Sequence, residues 1–441
     1  MCMTPYPNIV MERLSSIIDE LSQSPELYVN KPGVDFTRDR KLPFESVMQL
    51  LISMGGNSIY NELLTARGYD VNTATSSAFV QQRAKILSCA FEYLLHEFTG
   101  THSDLRTYRG YRLLANDGSS LHIPTNPADV DTYFENKAGE KGYNLLHLNA
   151  MYDLCNRIYV DALVQPGRLL NEKRALTDMV DRSRIDEKVI LIADRSYESY
   201  NIFAHIEEKG WKYLIRVKDV DSNGILSGLK LPRTDEFDVA ITRILTRRNT
   251  NAIKAQPDVY KHISTNTTFD YIESSSSDTY TISFRVVRFK ISDDTYETII
   301  TNLDPFAFPP AELKKLYHMR WGIETSFREL KYTVGLINFH SKIRESIVQE
   351  VFARIIMYNF AEMITTHVVI SKSGAKHVHQ VNFTVAIHVC RQFMRVCFWN
   401  HGHLPDVEAL IAKNTLPVRP DRSNKRKMRS QTVVSFLYRV A

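Results

Sequence analysis

The alternation of apolar and polar positions changes character several times along the chain, and each change marks a different kind of structure. Up to about residue 100 the apolar positions recur at helical spacing. Pro43 to Met54 reads as a helix opening on a proline, residues 58 to 66 as a second ended by Gly68, and about Ser77 to Phe98 as a third with Arg83 and Lys85 near its start. Short helices with scattered basic residues suit either a DNA-binding head or a plain bundle. From 110 to 220 the pattern turns to short apolar runs. Tyr111 to Asp117 is a predicted strand ending on an acid before a glycine turn, and 145–152 with 157–164 a hairpin. A helix over 172–183 follows, then the continuous apolar run Val189 to Ala193 ending on Asp194, a helix over 199–209 and a strand over 213–217. Runs without alternation belong to strands covered on both faces, so this segment predicts a mixed α/β sheet.

Between 219 and 300 the chain alternates roughly. Asp238 to Thr246, Thr279 to Phe289 and Tyr296 to Ile300 are rich in β-branched residues, and Ser274–Ser277 and Asp293-Asp294 separate them as turns. An antiparallel β insertion without helix is expected here. Helical spacing returns at 312–335, preceded by Pro309-Pro310 and closed by Gly335. Helices over 347–365 and 384–398 come next. These shifts divide the chain into helical residues 1–105, a sheet's first part at 106–218, a β-rich insertion at 219–302, the sheet's second part at 303–370, and a helical region with a basic tail at 371–441. The tail carries Arg419, Arg422, Lys425, Arg426, Lys427 and Arg429. Such a run either contacts phosphates or is a solvated end.

Composition narrows the class. The chain has 441 residues, 44% of them hydrophobic, and a net charge of +5, as expected of a folded protein able to meet nucleic acid. Cys2, Cys89, Cys155, Cys390 and Cys397 form no CxxC pair, which argues against structural zinc and a disulfide framework and fits a reducing cytoplasm. No secretion signal is expected. The apolar stretch 350–370 carries Glu350, Arg354 and Glu362, so a buried helix is expected there, not a membrane span.

Candidate chemistry lies in 312–335. At about 100° per residue, Arg320, Glu324 and Lys331 project within about 60° of Tyr317. One acid among a tyrosine, an arginine and a lysine suits a metal beside a phosphate, or a solvated helix face with internal ion pairs. Leu313, Leu316, Trp321, Phe327 and Leu330 are read as the packed side. Asp117 and Asp194 end predicted strands, where α/β sheets place ligands and where acids also cap turns.

The order Asp117-Gly-Ser, Asp194-Arg-Ser-Tyr, a β insertion and Tyr317-x2-Arg320-x3-Glu324-x6-Lys331 resembles the DDE transposases of bacterial insertion sequences. More narrowly, it is similar to the family carrying the YREK signature, the insertion-sequence-four family, over residues 35 to 370. Ser196 departs from a glycine frequent there. The resemblance implies an RNase H-like α/β core whose metal-binding triad is Asp117, Asp194 and Glu324. It implies Mg2+, with Mn2+ as the substitute, two such oxygen-seeking ions serving in-line phosphoryl transfer. Tyr317, Arg320 and Lys331 then contact DNA phosphates. The implied partners are transposon-end inverted repeats, target DNA and a second copy of the chain on DNA, in a bacterial cytoplasm. A catalytically silent DNA-binding relative and a metal-dependent nuclease without strand transfer are the competing expectations.

Overall fold

A computed structural model describes residues 5–38, 40–100, 105–136, 140–220, 222–292, 295–370 and 377–418. The turn expected at Asp293-Asp294 and the basic residues from Arg419 onward lie outside these. The first five helices are α1 (Tyr6–Gln23), α2 (Phe44–Ser53), α3 (Ile59–Ala66), α4 (Ser76–Arg83) and α5 (Cys89–Gly100). The single helix expected over 77–98 is two. Residues 84–88 are drawn out of helical geometry because Asn30 N–H bonds Lys85 O and Leu87 N–H bonds Tyr28 O.

The centre is one mixed sheet. Its strands are β1 (Arg112–Ile123), β2 (Tyr133–Phe134), β3 (Tyr143–Asp153), β4 (Ile158–Pro166), β5 (Val189–Ala193) and β6 (Lys212–Val217), with α6 (Glu172–Arg182) and α7 (Tyr200–Glu208) between the later ones. The order β4-β3-β1-β5-β6 has β3 antiparallel to β1 and to β4, and β1, β5 and β6 parallel. Three antiparallel strands beside two parallel ones form the RNase H-like arrangement. The apolar run of β5 is buried at every residue. Leu191 and Ala193 join the large core on one face, Ile190 and Ile192 a smaller core on the other.

The expected β insertion is present, but it does not stand apart. Its strands are β7 (Phe237–Thr246), β8 (Tyr260–His262), β9 (Thr279–Ser292) and β10 (Thr295–Thr301), with one helical turn, α8 (Asn251–Lys254), where no helix was expected. β10 pairs with β6, so the central sheet runs on through β10, β9, β7 and β8. Within it β7 and β8 are parallel.

After the sheet come α9 (Pro310–Met319), α10 (Trp321–Glu329), α11 (Arg344–Thr365), α12 (Phe383–Trp399) and α13 (Val407–Lys413). α11 is buried along nearly its whole length. Helices α1, α2 and α5 pack around it, and it also packs on β4, which joins the N-terminal helices to the central sheet. Arg83 belongs to this junction and is 2% exposed. Its guanidinium donates to Gln349 Oε1 and Glu350 Oε1, both at 2.9 Å, and to the Ser346 carbonyl. Against the upward pull of burial, His340, Arg83 and Arg354 lower the Glu350 carboxyl to about 2. Arg83→Ala would remove the guanidinium paired with Glu350 Oε1 and leave that buried carboxylate to His340 and Arg354, an expected loss of about 3 kcal/mol. A denaturant titration checks this, and a loss below about 1 kcal/mol contradicts it. No helix among the described residues is long and apolar enough to cross a membrane.

Candidate active site

Asp117 does not end its strand. β1 continues to Ile123, paired with β3 throughout. What ends is the pairing with β5, whose last partners are Asn116 and Ala193. Asp117 and Asp194 are therefore side by side where two parallel strands diverge. The divergence opens room for a ligand at this edge of an α/β sheet. Gly118 lets β1 pass. A Cβ there would lie 2.3 Å from His147 Nε2 and 2.7 Å from Glu172 Oε1, two groups themselves 2.9 Å apart. Gly118→Ala must displace that pair and tilt the neighbouring Asp117. The DNA cleavage that the sequence resemblance implies is then expected to fall at least about tenfold while DNA binding holds. Unchanged cleavage would show that β1 yields without moving Asp117.

The Asp117 carboxyl is pushed up to about 6, chiefly by burial. The Gly118 N–H and Arg320 draw it back, while the charges of Asp194 and Glu324 push it further. Its Oδ1 accepts the Gly118 N–H at 2.8 Å. Asp194 performs the capping role available to a strand-end acid. Its Oδ1 accepts the Ser196 N–H at 2.8 Å and the Ser196 hydroxyl at 2.6 Å. Both bonds fall on one oxygen, which leaves Oδ2 for a ligand. Ser196, the position where a glycine was frequent, thus adds a donor that glycine lacks.

The stretch 312–335 is not one straight helix. Arg320 lies at a tightened turn, where its N–H bonds Tyr317 O and its O accepts from Ile323 N–H, three residues apart each way. A wider π turn, Leu330–Val334, follows α10 and closes at Gly335 with φ 98°. Both departures change the angle per residue locally, but even a regular wheel puts Leu313 and Trp321 only about 40° on either side of Tyr317, so spacing did not part a packed arc from an exposed one. Trp321, expected in the core, is 49% exposed. Tyr317, expected on the polar stripe, is 6% exposed and lies in the apolar cluster with Ile190, Ile192 and Leu214. Leu313, Leu316, Phe327 and Leu330 are buried as expected. Gly322 admits close packing here, since a Cβ would come within 2.9 Å of Leu154.

Arg320 is the residue whose placement the sequence did not reveal. It is 7% exposed. Nη2 donates to Glu324 Oε1 at 2.7 Å, and Nη1 is 3.7 Å from Asp117 Oδ2. The rings of Tyr317 and Trp321 each lie 5.8 Å from the guanidinium carbon. Arg320 therefore links the carboxylates of Asp117 and Glu324. Lys331 lies further along β1, donating to the Ser120 carbonyl at 2.9 Å, and burial lowers its ammonium from the usual lysine range. Asp117, Asp194, Glu324 and Arg320 thus converge, with Lys331 flanking them and Tyr317 beneath Arg320.

The donor set fits a divalent cation: three hard carboxylates, one with its charge disfavoured by the others, and a cationic side chain between two of them. A tighter donor group lies elsewhere. Ligand atoms of Glu92, His96 and Asp161 are within 4.8 Å of one another. Arg182 already fills it, with Nη1 2.7 Å from Glu92 and Nη2 2.6 Å from Asp161, so it is an ion-pair centre.

Residues 108–360, more than half of the chain, match the transposase DDE domain family. Among solved structures, the synaptic complex of piggyBac transposase with hairpin DNA is similar at 10% identity and a TM-score of 0.48. The match covers 91% of this chain and 82% of that one. A comparison with curated proteins finds none that matches.

Proposed function

The chain belongs to the DDE transposase family, and on that premise we propose that it cuts the ends of a transposon and joins the freed 3′ hydroxyl to target DNA. The observation that carries this reading is the meeting of Asp117, Asp194 and Glu324 at the diverging edge of β1 and β5, with Arg320 among them. Magnesium or manganese, held by those three carboxylates, would activate the attacking oxygen and stabilise the leaving one.

The remaining residues bind and orient. Arg320 offers a planar fork suited to two phosphate oxygens, and Lys331 a point charge. Tyr317 is packed too deeply to be the main phosphate ligand. Its ring supports the Arg320 guanidinium, and its hydroxyl, raised by burial, stays protonated and able to donate. Trp321 is exposed beside Arg320 and offers a face for a base displaced near the cut. Trp321→Ala is expected to weaken binding of DNA with unpaired ends by about 1–3 kcal/mol, with a smaller effect on blunt duplex. Equal losses on both substrates would remove the stacking role. Acting on two ends calls for two such sites, hence a homodimer on DNA, and the inverted repeats bordering the coding sequence are the proposed substrate.

The test uses labelled DNA carrying those borders, a supercoiled target plasmid and Mg2+. Cleaved ends and end–plasmid joints are both expected. Cleavage without joints would favour a nuclease, and binding with neither product a silent DNA-binding relative.

A further inference from the structure

The placement of Arg320 says more than that an arginine is near the site. A guanidinium carries five donors in a fixed fork. Here one hydrogen bond, to Glu324, is well formed, and the 3.7 Å approach to Asp117 is an ion pair beyond hydrogen-bond range. Arg320 Nε is buried with no hydrogen-bond partner among the described residues. A 93% buried guanidinium with its fork mostly unspent is costly unless something else completes it. Its charge meanwhile does what a bound cation would do, offsetting the mutual repulsion of Asp117 and Glu324. The rings of Tyr317 and Trp321 flank it and can guide a shift without breaking the helix.

We infer that Arg320 is the resident counter-ion of the acid triad in the metal-free protein, and that divalent-ion binding displaces it from Glu324 and so delivers its fork to the DNA phosphate. The inference rests on the triad holding the metal. It adds that ion loading and phosphate grip are coupled through one side chain. Coupling of this kind is reciprocal, so DNA must strengthen ion binding by the factor by which the ion strengthens DNA binding.

The test measures Mn2+ binding to the whole, DNA-free protein by electron paramagnetic resonance, beside Glu324→Gln, Arg320→Gln and Arg320→Lys. Glu324→Gln should weaken binding, placing the ion at the triad. Arg320→Gln, freed of the competing charge-assisted bond, should bind Mn2+ at least about tenfold more tightly than wild type, with Arg320→Lys between them. Arg320→Gln binding equally or more weakly, while Glu324→Gln still loses the ion, overturns the counter-ion role and leaves the triad standing. No effect of Glu324→Gln overturns both. Wild-type protein gives an independent reading that needs no variant to fold. Phenylglyoxal labelling of Arg320, followed by peptide mass, should rise when Mg2+ is added. Labelling that does not change on ion binding refutes the displacement.

Discussion

Glu324→Gln is expected to lower DNA cleavage by about three orders of magnitude, while unfolding at nearly the wild-type midpoint and binding DNA almost as well. The rate loss follows from removing one anionic ligand. A cation at the reacting phosphate supplies several kcal/mol of transition-state stabilisation, and each 1.36 kcal/mol is tenfold. The small stability effect follows from the packing of α10. Its buried residues are Ile323, Ser326 and Phe327, and the Ser326 hydroxyl meets Tyr159 at 2.8 Å, so Glu324 contributes nothing to the core. Its one ion pair among the described residues joins a carboxylate about one-third exposed to the buried Arg320, and glutamine keeps an oxygen for the Arg320 Nη2 while relieving repulsion on Asp117, so the net stability change should stay within about 1 kcal/mol. Asp194→Asn should behave alike in cleavage. An end-labelled DNA assay beside a thermal scan decides the matter. A Glu324→Gln protein cleaving within tenfold of wild type would remove Glu324 from the catalytic set.

Much of this site was legible because its determinants are local. The apolar run of β5 and its terminal acid, the proline entry to α9 and the glycine exit at Gly335 are single-segment signals, and each lies where its pattern put it. What stayed hidden depends on contacts between distant segments or on small departures from regular helices. The pairing of β10 with β6 joins strands separated by the whole insertion, and no periodicity announces a partner. Asp117 looked like the end of a strand because a glycine follows. The glycine in fact lets the strand continue past His147 and Glu172. Spacing could not separate Trp321 from Tyr317, because at about 100° per residue Trp321 and Leu313 lie only about 40° on either side of Tyr317, and which flank is buried is set by the sheet residues packed against it. Arg83 suited either a DNA-binding head or a plain bundle, and its partners, Gln349 and Glu350, which decide for packing, lie far along the sequence. Predicted strand ends and helix spacing made the three acids and the arginine candidates and the resemblance grouped them, but the ion pair from Arg320 to both Asp117 and Glu324 needed the folded strand and helix together.

The same geometry makes the metal-free protein less stable than it could be, and Asp117→Asn is expected to show it. Burial pushes the Asp117 carboxyl from 3.8 up to about 6, so folding favours its protonated form. The sign is opposite to that of a salt-bridged acid. Between about pH 4 and pH 6 the folded protein holds more of this proton than the unfolded chain, so stability falls as pH rises through that window. Above it the full cost is present. Two units correspond to at most about 3 kcal/mol, and the partial exposure of the carboxyl and its pairing with Arg320 reduce this to about 1–2 kcal/mol. Asparagine keeps the shape and an oxygen for the Gly118 N–H, and it removes the charge. At pH 7.5 without divalent ions, Asp117→Asn should therefore be the more stable protein, though inactive. At pH 4 the two should be nearly equal. Saturating Mg2+ should reverse the order, because ion binding to the folded state stabilises wild type by RT ln(1 + [L]/Kd), and the variant has lost a ligand. Cleavage by wild type should fall on the acid side as Asp117 takes up its proton, with the midpoint moving below 6 as Mg2+ is raised, since ion and proton compete for one carboxylate. Denaturant titrations of both proteins from pH 4 to 8 give the difference directly. A flat difference across that range, or an acid limb that ignores Mg2+ concentration, would mean that Asp117 is neither the strained nor the metal-holding acid of the site.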